Sequence, residues 1–474
     1  MLKCKFADKF SMWILIKGKE IHMERVDNLD NNDTVSDSAV KDTSVQESKS
    51  SAGGKPRLTG NYAWWFTADT ASALSQSIRS FAISVVLLTL TGSTVQSGYM
   101  SALSYLLVGL TALMGGVIVD RYDRRKLLIL STLIGAVVYG ITFIWGSLWG
   151  LNVVLLYAIT VILGIKAGLL GNVSDILLRE VVPPEELPVA MSLNQGRDAT
   201  VSLLGSPLSG FLVTVSSVFP FAVATVLNLV GAFSAKFIKL RKQVEKHDDP
   251  GNSSHTTNSM KDQFRKAFKG FSLIHRTPIL RRMVMVSVLF FPFINAVLNL
   301  LVYYTVNTEK SPLSAGWLES STALGLLVGS LISARLVKKV DTGKIIILAF
   351  LVPVPLVFGA VFAPNYIVRL CFLLPIVLML PAANASSGGF IMQIIPQNLL
   401  GRYFAVMSLL GVIFNPLMSL VVGYGLKYWG LRVTGTIFAT GMLITALPSF
   451  SSLLRNIPTP DKWNDYAQTL TVKS

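Results

Sequence analysis

The chain has 474 residues, 51% of them hydrophobic and only 14% charged, with a mean hydropathy of +0.55. Soluble domains carry about 25% charged residues, so this profile excludes an ordinary soluble enzyme and points to a polytopic membrane protein. The formal net charge of +16 would suggest nucleic acid in a soluble protein; here the basic residues cluster in short links beside apolar segments, where they suit anionic lipid instead.

In chain order, residues 1–60 read as a tail. Positions 27–55 are Ser/Asp-rich and nearly free of large apolar groups, the composition of a disordered segment. Phe10–Ile16 is apolar but too short to span a bilayer. Met23 is an alternative translation start, because Lys19-Glu20 suits a purine-rich ribosome-binding sequence at the right distance; the intact mass of the native product tests this. From Trp64 onward, apolar runs long enough to cross about 30 Å of hydrocarbon recur. They predict helices at 64–89, 98–119, 127–146, 151–177, 190–214, 218–238, 283–305, 315–336, 344–363, 366–388, 402–425 and 431–453. Trp64, Trp65, Tyr428 and Trp429 read as interfacial anchors.

Lys and Arg concentrate in alternate links. One set holds Asp120–Lys126, the 179–186 turn, the 239–282 link, Lys338–Lys344 and Arg402; residues 91–98, 146–150 and 216–220 are uncharged. The basic set is therefore placed in the cytoplasm, with both termini. The predicted domains are an N-terminal six-helix bundle at 61–238, a linker at 239–282, a C-terminal bundle at 283–454 and a cytoplasmic tail at 455–474. Phe264, Phe268 and Phe271 fall at helical spacing among lysines, as in an amphipathic helix lying on the inner membrane face or in a solvated linker helix.

A charge inside a span is costly unless it is paired or functional. The first bundle holds Asp69 and Arg79 in its first span, Lys166 and Asp175 in its fourth, and Arg197 and Asp198 in its fifth. The second has Glu319 toward the outer end of its eighth span and Arg335 toward the inner end, with neutral Asn295, Asn299, Asn384 and Asn415. Coupling chemistry is thus expected mainly in the first half. Arg79 and Lys166 would line a central cavity, and Asp69 or Asp198 would titrate. The competing expectation is structural ion pairs, Asp198 with Lys166 for instance. The four histidines (His22, His247, His255, His275) lie outside the spans, so a proton relay within the membrane must use carboxylates. Cys4 and Cys371 form no metal spacing or disulfide framework.

The halves also echo one another. Residues 109–130 and 325–348 both run from Gly-Leu through a basic turn into Lys and a branched aliphatic block. Val181–Phe211 and Ile394–Gly425 each join a Pro-marked turn to a helix with a central Pro. Repeated halves are a transporter signature.

Gly116 with Asp120-Arg121-Tyr122-Asp123-Arg124-Arg125-Lys126 matches Gly-x-x-x-Asp-Arg-x-Gly-Arg-Arg, apart from Asp123 in place of Gly. On these residues, and on Thr89–Ser93, residues 60–454 resemble the major facilitator superfamily, in its drug, macrolide and siderophore exporter branch. The resemblance implies an all-α membrane fold of twelve transmembrane helices in two pseudo-symmetric six-helix bundles. It further implies a conformational latch from Gly116, Asp120, Arg121, Arg124 and Arg125 to Arg179 and the helix near Arg402, with Gly116 allowing the second and eleventh helices to pack closely. Gly205-Ser206-Pro207-Leu208-Ser209-Gly210 partly resembles the fifth-helix motif of drug–proton antiporters, which has Gly before Pro and two Gly after. The fourth span lacks the Arg expected in such antiporters and has Lys166.

These readings converge on a proton-coupled exporter of a small amphipathic compound in the cell membrane, monomeric, needing no cofactor and no nucleic acid. No Walker motif is present to drive an ATP cycle. The rival readings are a transporter of an anionic metabolite or siderophore, suggested by Arg79 and Lys166, and a non-transporting sensor. A membrane enzyme would need a catalytic constellation that the sequence does not offer.

Overall fold

The computed structural model describes residues 60–183, 186–239, 271–272, 274–275 and 277–466. The helices are α1 (Gly60–Thr91), α2 (Thr94–Arg121), α3 (Arg124–Trp149), α4 (Val153–Val181), α5 (Leu187–Val215) and α6 (Phe219–Lys236). After the linker come α7 (Pro278–Glu309), α8 (Pro312–Lys339), α9 (Thr342–Phe362), α10 (Tyr366–Ile394), α11 (Gln397–Tyr428) and α12 (Gly430–Ala446). Among the described residues, eleven helices are long and apolar enough to cross a membrane; α2, at 28 residues, occupies the remaining predicted span. The all-α membrane fold of two six-helix bundles is the one the sequence implied.

Local chemistry sets the helix starts. Ser93, Asn152, Ser311 and Asn365 each accept a hydrogen bond from a backbone N–H of the following helix's first turn, a cap contributing about 1 kcal/mol. Asp123 is a cap too: its carboxylate accepts from Lys126 N at 3.0 Å. This accounts for an acidic residue where the resembling motif has Gly. Gly150 (φ 79°) and Gly430 (φ 73°) turn the chain between α3 and α4 and between α11 and α12, in a region that glycine enters without steric cost.

Three spans predicted as continuous are broken. Helix α9 breaks at Val352, before Pro353; α10 breaks after Pro375; α4 breaks at Gly171-Asn172. At α9 and α10 the cause is Pro, which removes a backbone donor and clashes with the preceding turn, an effect that a count of apolar residues does not register; α4 has no Pro at its break.

Within the bundles, α1 packs on α5 and α6, α3 on α6, and α2 on α4; α7 packs on α11 and α12, and α8 on α10. Across them, α2 packs on α11 and α5 on α8, a reciprocal exchange consistent with repeated halves. Both crossings depend on glycine. A Cβ on Gly98 would stand 2.7 Å from Ser419 O, and one on Gly423 2.8 Å from Thr94 O. Gly210 and Gly316 similarly meet the Pro312 and Ser206 carbonyl oxygens at 2.6 Å.

One expectation needs correction here. Trp65 is not an interfacial anchor: it is fully buried, and its Nε1 donates to Ser174 O at 3.1 Å. The described part of the segment after α12 packs back on the bundle. Trp463 Nε1 donates to Thr342 Oγ1 and Pro458 O, both at 3.1 Å, and Gly343 N donates to Ile457 O at 3.0 Å. That segment therefore clasps the start of α9. Most of the expected amphipathic helix in the linker lies outside the described residues; Ile274 is buried in the larger core and Phe271 is exposed.

Candidate functional site: two polar cavities that share Arg79

A central cavity of about 300 Å³ lies between the bundles. From the first bundle come Arg79, Ser80, Ser84, Ser101, Ser104 and Tyr105; from the second come Asn295, Asn299, Tyr303, Glu319 and Thr322. Phe81, Met100, Leu298, Val302 and Leu318 supply apolar wall. Tyr303 OH and Ser101 Oγ are 2.7 Å apart, a hydrogen bond between bundles.

A second cavity, of about 220 Å³, lies inside the first bundle. Asp69, Arg79, Lys166, Asp175, Arg197 and Asp198, six charges scattered over three spans, all line it. Arg79 belongs to both cavities.

The charges within it are unevenly paired. Arg197 forms ion pairs with Asp69 and, at 2.7 Å, with Asp198. Its guanidinium lies 5.7 Å from the Trp65 ring centroid and 5.6 Å from that of Phe66, an added attraction to the ring faces. The Asp198–Lys166 pair expected from sequence is not formed; Asp198 is taken by its neighbour Arg197. Arg197→Gln would leave Asp69 mostly buried without its counter-charge. We expect a loss of about 3 kcal/mol, read as a lowered thermal unfolding midpoint in detergent. Restoring neutrality with Asp69→Asn should recover most of it.

Arg79 and Lys166 differ from Arg197. Among the described residues, neither takes part in an ion pair. Arg79 is only 8% exposed, and its Nε has no hydrogen-bond partner; Nη2 donates to Ser80 Oγ at 3.3 Å. Across the central cavity, Glu319 likewise has no cationic partner among the described residues. It is surrounded by protein yet open to the cavity, with the Ser206 hydroxyl facing it.

Sequence reasoning undervalued Glu319. It lies seven residues into α8, about 10 Å along the axis, deep enough to meet the cavity. It also missed Tyr105 and Tyr303, whose positions in apolar spans gave no signal, and Arg369. Arg369 is buried, with its guanidinium 4.7 Å from the Tyr304 ring centroid. Asn295 and Asn299 do line the cavity. Asn384 is exposed, and Asn415 donates to Gly411 O of its own helix at 3.0 Å.

Hydrogen bonds between bundles concentrate toward the end opposite Gly60 and Tyr466. Thr94 Oγ1 donates to Gly423 O at 2.9 Å, Tyr99 and Tyr424 share a hydrogen bond, and Ser320 Oγ donates to Leu203 O at 2.5 Å. At the end carrying Gly60 and Tyr466, the described residues form no hydrogen bond or ion pair between bundles.

The residues of the expected latch are at that open end. Arg124 pairs with Glu180 within the first bundle, and Arg125 donates to the Ala235 and Lys236 carbonyl oxygens. Arg121 and Arg179 are exposed; the Asp120 side chain lies outside the described residues. The close packing expected at Gly116 is not there: a Cβ on it would meet nothing within 4 Å. The close approach of α2 and α11 is at Gly98 and Gly423 instead, because the bundles meet at the opposite end. In the fifth helix, Gly205 packs on Ser77, Ser209 Oγ donates to Ile78 O at 2.7 Å, and Gly210 packs on the start of α8. With Pro207 between them, this run joins α1, α5 and α8.

The Major Facilitator Superfamily family model matches residues 66–415. No curated protein matches the sequence. Among solved structures, the inward open xylose transporter XylE from E. coli is 16% identical. The match covers 86% of this chain and 99% of that one, with a TM-score of 0.63. An inward-facing bacterial homologue of the human lysosomal transporter Spinster is 13% identical, covering 85% and 98%, with a TM-score of 0.60. An inward-facing bacterial homologue of the iron transporter ferroportin is 14% identical, again covering 85% and 98%, with a TM-score of 0.60.

Proposed function

The chain belongs to the major facilitator superfamily, and on that basis we propose that it is a proton-coupled secondary transporter. It exports a small amphipathic compound across the cell membrane by alternating access. The observation that carries this reading is the central cavity, lined by polar and apolar residues of both bundles and bounded on one side by the contacts between bundles. A site at the interface of repeated halves lets rocking expose it to either side. The basic links support cytoplasmic termini, and in this reading the cavity is bounded on the outer side. Export is supported by the likeness of Asp120–Lys126 and Gly205–Gly210 to drug exporters.

Asp69 and Asp198 are both engaged with Arg197, whereas Glu319 faces the cavity with no ion-pair partner among the described residues. Glu319 is therefore the coupling carboxylate in this reading, and the Asp69–Arg197–Asp198 cluster holds α1 to α5. Asp120, Arg121 and Arg179 serve as the inner latch once the bundles rock the other way.

Flux into inverted vesicles tests the proposal directly. Uptake of amphipathic compounds should collapse on adding a proton uncoupler. Uptake indifferent to the uncoupler would exclude proton coupling.

A further inference from the structure

The pair Arg79 and Lys166 has no role in the ion-pair cluster beside it. Arg79 projects from α1 and Lys166 from α4 into the same cavity wall. Around them stand neutral groups. The Tyr139 hydroxyl points at Ser75, and Asn228 Nδ2 donates to Ser75 Oγ and, at 2.8 Å, to Ala224 O. Gly135 leaves the space: a Cβ there would come within 3.3 Å of Lys166 Nζ. Asp69, the nearest acidic residue on α1, is already held by Arg197. The result is two cations with unused N–H donors and no ion-pair partner among the described residues, although Asp175 lines the same cavity.

A cation taken out of water without a partner is costly; an anion arriving from outside the chain would offset that cost at the buried Arg79 and the half-buried Lys166. Guanidinium offers a planar fork suited to a carboxylate, while ammonium adds a point charge. Arg79 also forms wall of the central cavity, where Phe81, Met100, Leu298, Val302 and Leu318 offer apolar surface. A molecule with an anionic head and an apolar body would satisfy both cavities at once.

We propose that Arg79 and Lys166 form an oxyanion subsite that takes the carboxylate of the transported compound, whose apolar body lies in the central cavity. This rests on the transport reading above and specifies its substrate class as a small amphipathic organic anion.

The test is equilibrium binding to the purified full-length protein in detergent, with three probes: benzoate, its neutral analogue benzamide, and inorganic phosphate. Benzoate should bind and benzamide should not. Arg79→Gln and Lys166→Gln should each weaken benzoate binding at least about thirtyfold, with Arg79→Lys intermediate. Without ligand, Arg79→Gln should melt no lower than wild type, since it removes an unpaired charge. A marked drop would identify Arg79 as a structural residue and overturn the proposal. Equal binding of benzoate and benzamide would also overturn it. Binding of phosphate but not benzoate would assign the site to a free inorganic anion and overturn the substrate assignment. Benzoate binding without flux would refute transport and leave the subsite standing. Normal uncoupler-sensitive flux without benzoate binding would refute the subsite alone.

Discussion

Glu319→Gln is expected to reduce gradient-driven uptake in inverted vesicles to the level left by an uncoupler, while exchange of solute without a gradient persists. Glutamine is nearly isosteric and keeps a partner for the Ser206 hydroxyl, but it cannot gain or lose a proton. A coupling group must change protonation as the cavity changes sides, and a carboxylate fixed in a strong ion pair is poorly placed to do so. Among the described residues Glu319 has no such pair, and it faces the cavity that both bundles line. Asp69→Asn should behave differently, weakening the protein through loss of the Arg197 contact more than it alters coupling. If Glu319→Gln retained uncoupler-sensitive uptake, the coupling carboxylate would have to be sought in the first bundle.

The second large effect concerns the closed end. Gly423→Leu should keep the bundles from meeting there. Even the Cβ would stand 2.8 Å from Thr94 O and 3.1 Å from Val95 Cα, and backbone cannot swing aside as a side chain can. Overpacking of this kind costs about 2 kcal/mol, enough to shift the balance between conformations about thirtyfold. The penalty falls only on the state in which α2 and α11 touch at this end. Transport should therefore fall by a similar factor while insertion and overall fold survive. Gly116→Ala is the contrasting control: nothing lies within 4 Å of that position in this conformation, so its effect should be confined to the opposite state. Equal damage from both substitutions would count against an exchange between two closed ends.

Much of the architecture was legible because it follows from hydrocarbon thickness. Apolar runs of fixed minimum length have to be helices, and the basic links had to alternate. The breaks in α9 and α10 were less legible, since a proline inside an apolar run still reads as apolar, and so was the break in α4, which falls at Gly171-Asn172. Asp123 shows a limit of motif matching: it departs from the resembling pattern yet has a plain local task as the cap of α3. At the site, the six first-bundle charges were identifiable because a charge in a span stands out against its neighbours. Their pairing was not, because Arg197 could choose among three carboxylates and only the fold decides the distances. Glu319 was visible but misplaced: its depth depends on where α8 begins, and Pro312 starts the helix close to the turn. Tyr105 and Tyr303 could not be distinguished from lipid-facing aromatics. Gly116 was assigned a packing task that this conformation does not show.

Alternating access of the central cavity can be measured by thiol labelling. Asn295 lines that cavity and is accessible within it, and only Cys4 and Cys371 need to be replaced beforehand. Asn295→Cys, treated with a membrane-impermeant maleimide in oriented vesicles without a gradient, should react from the face carrying the termini and be protected from the other. A proton gradient with transported solute should add reactivity at the opposite face. Labelling from the opposite face at rest, or from one face alone under every condition, would contradict transport by alternating access through this cavity.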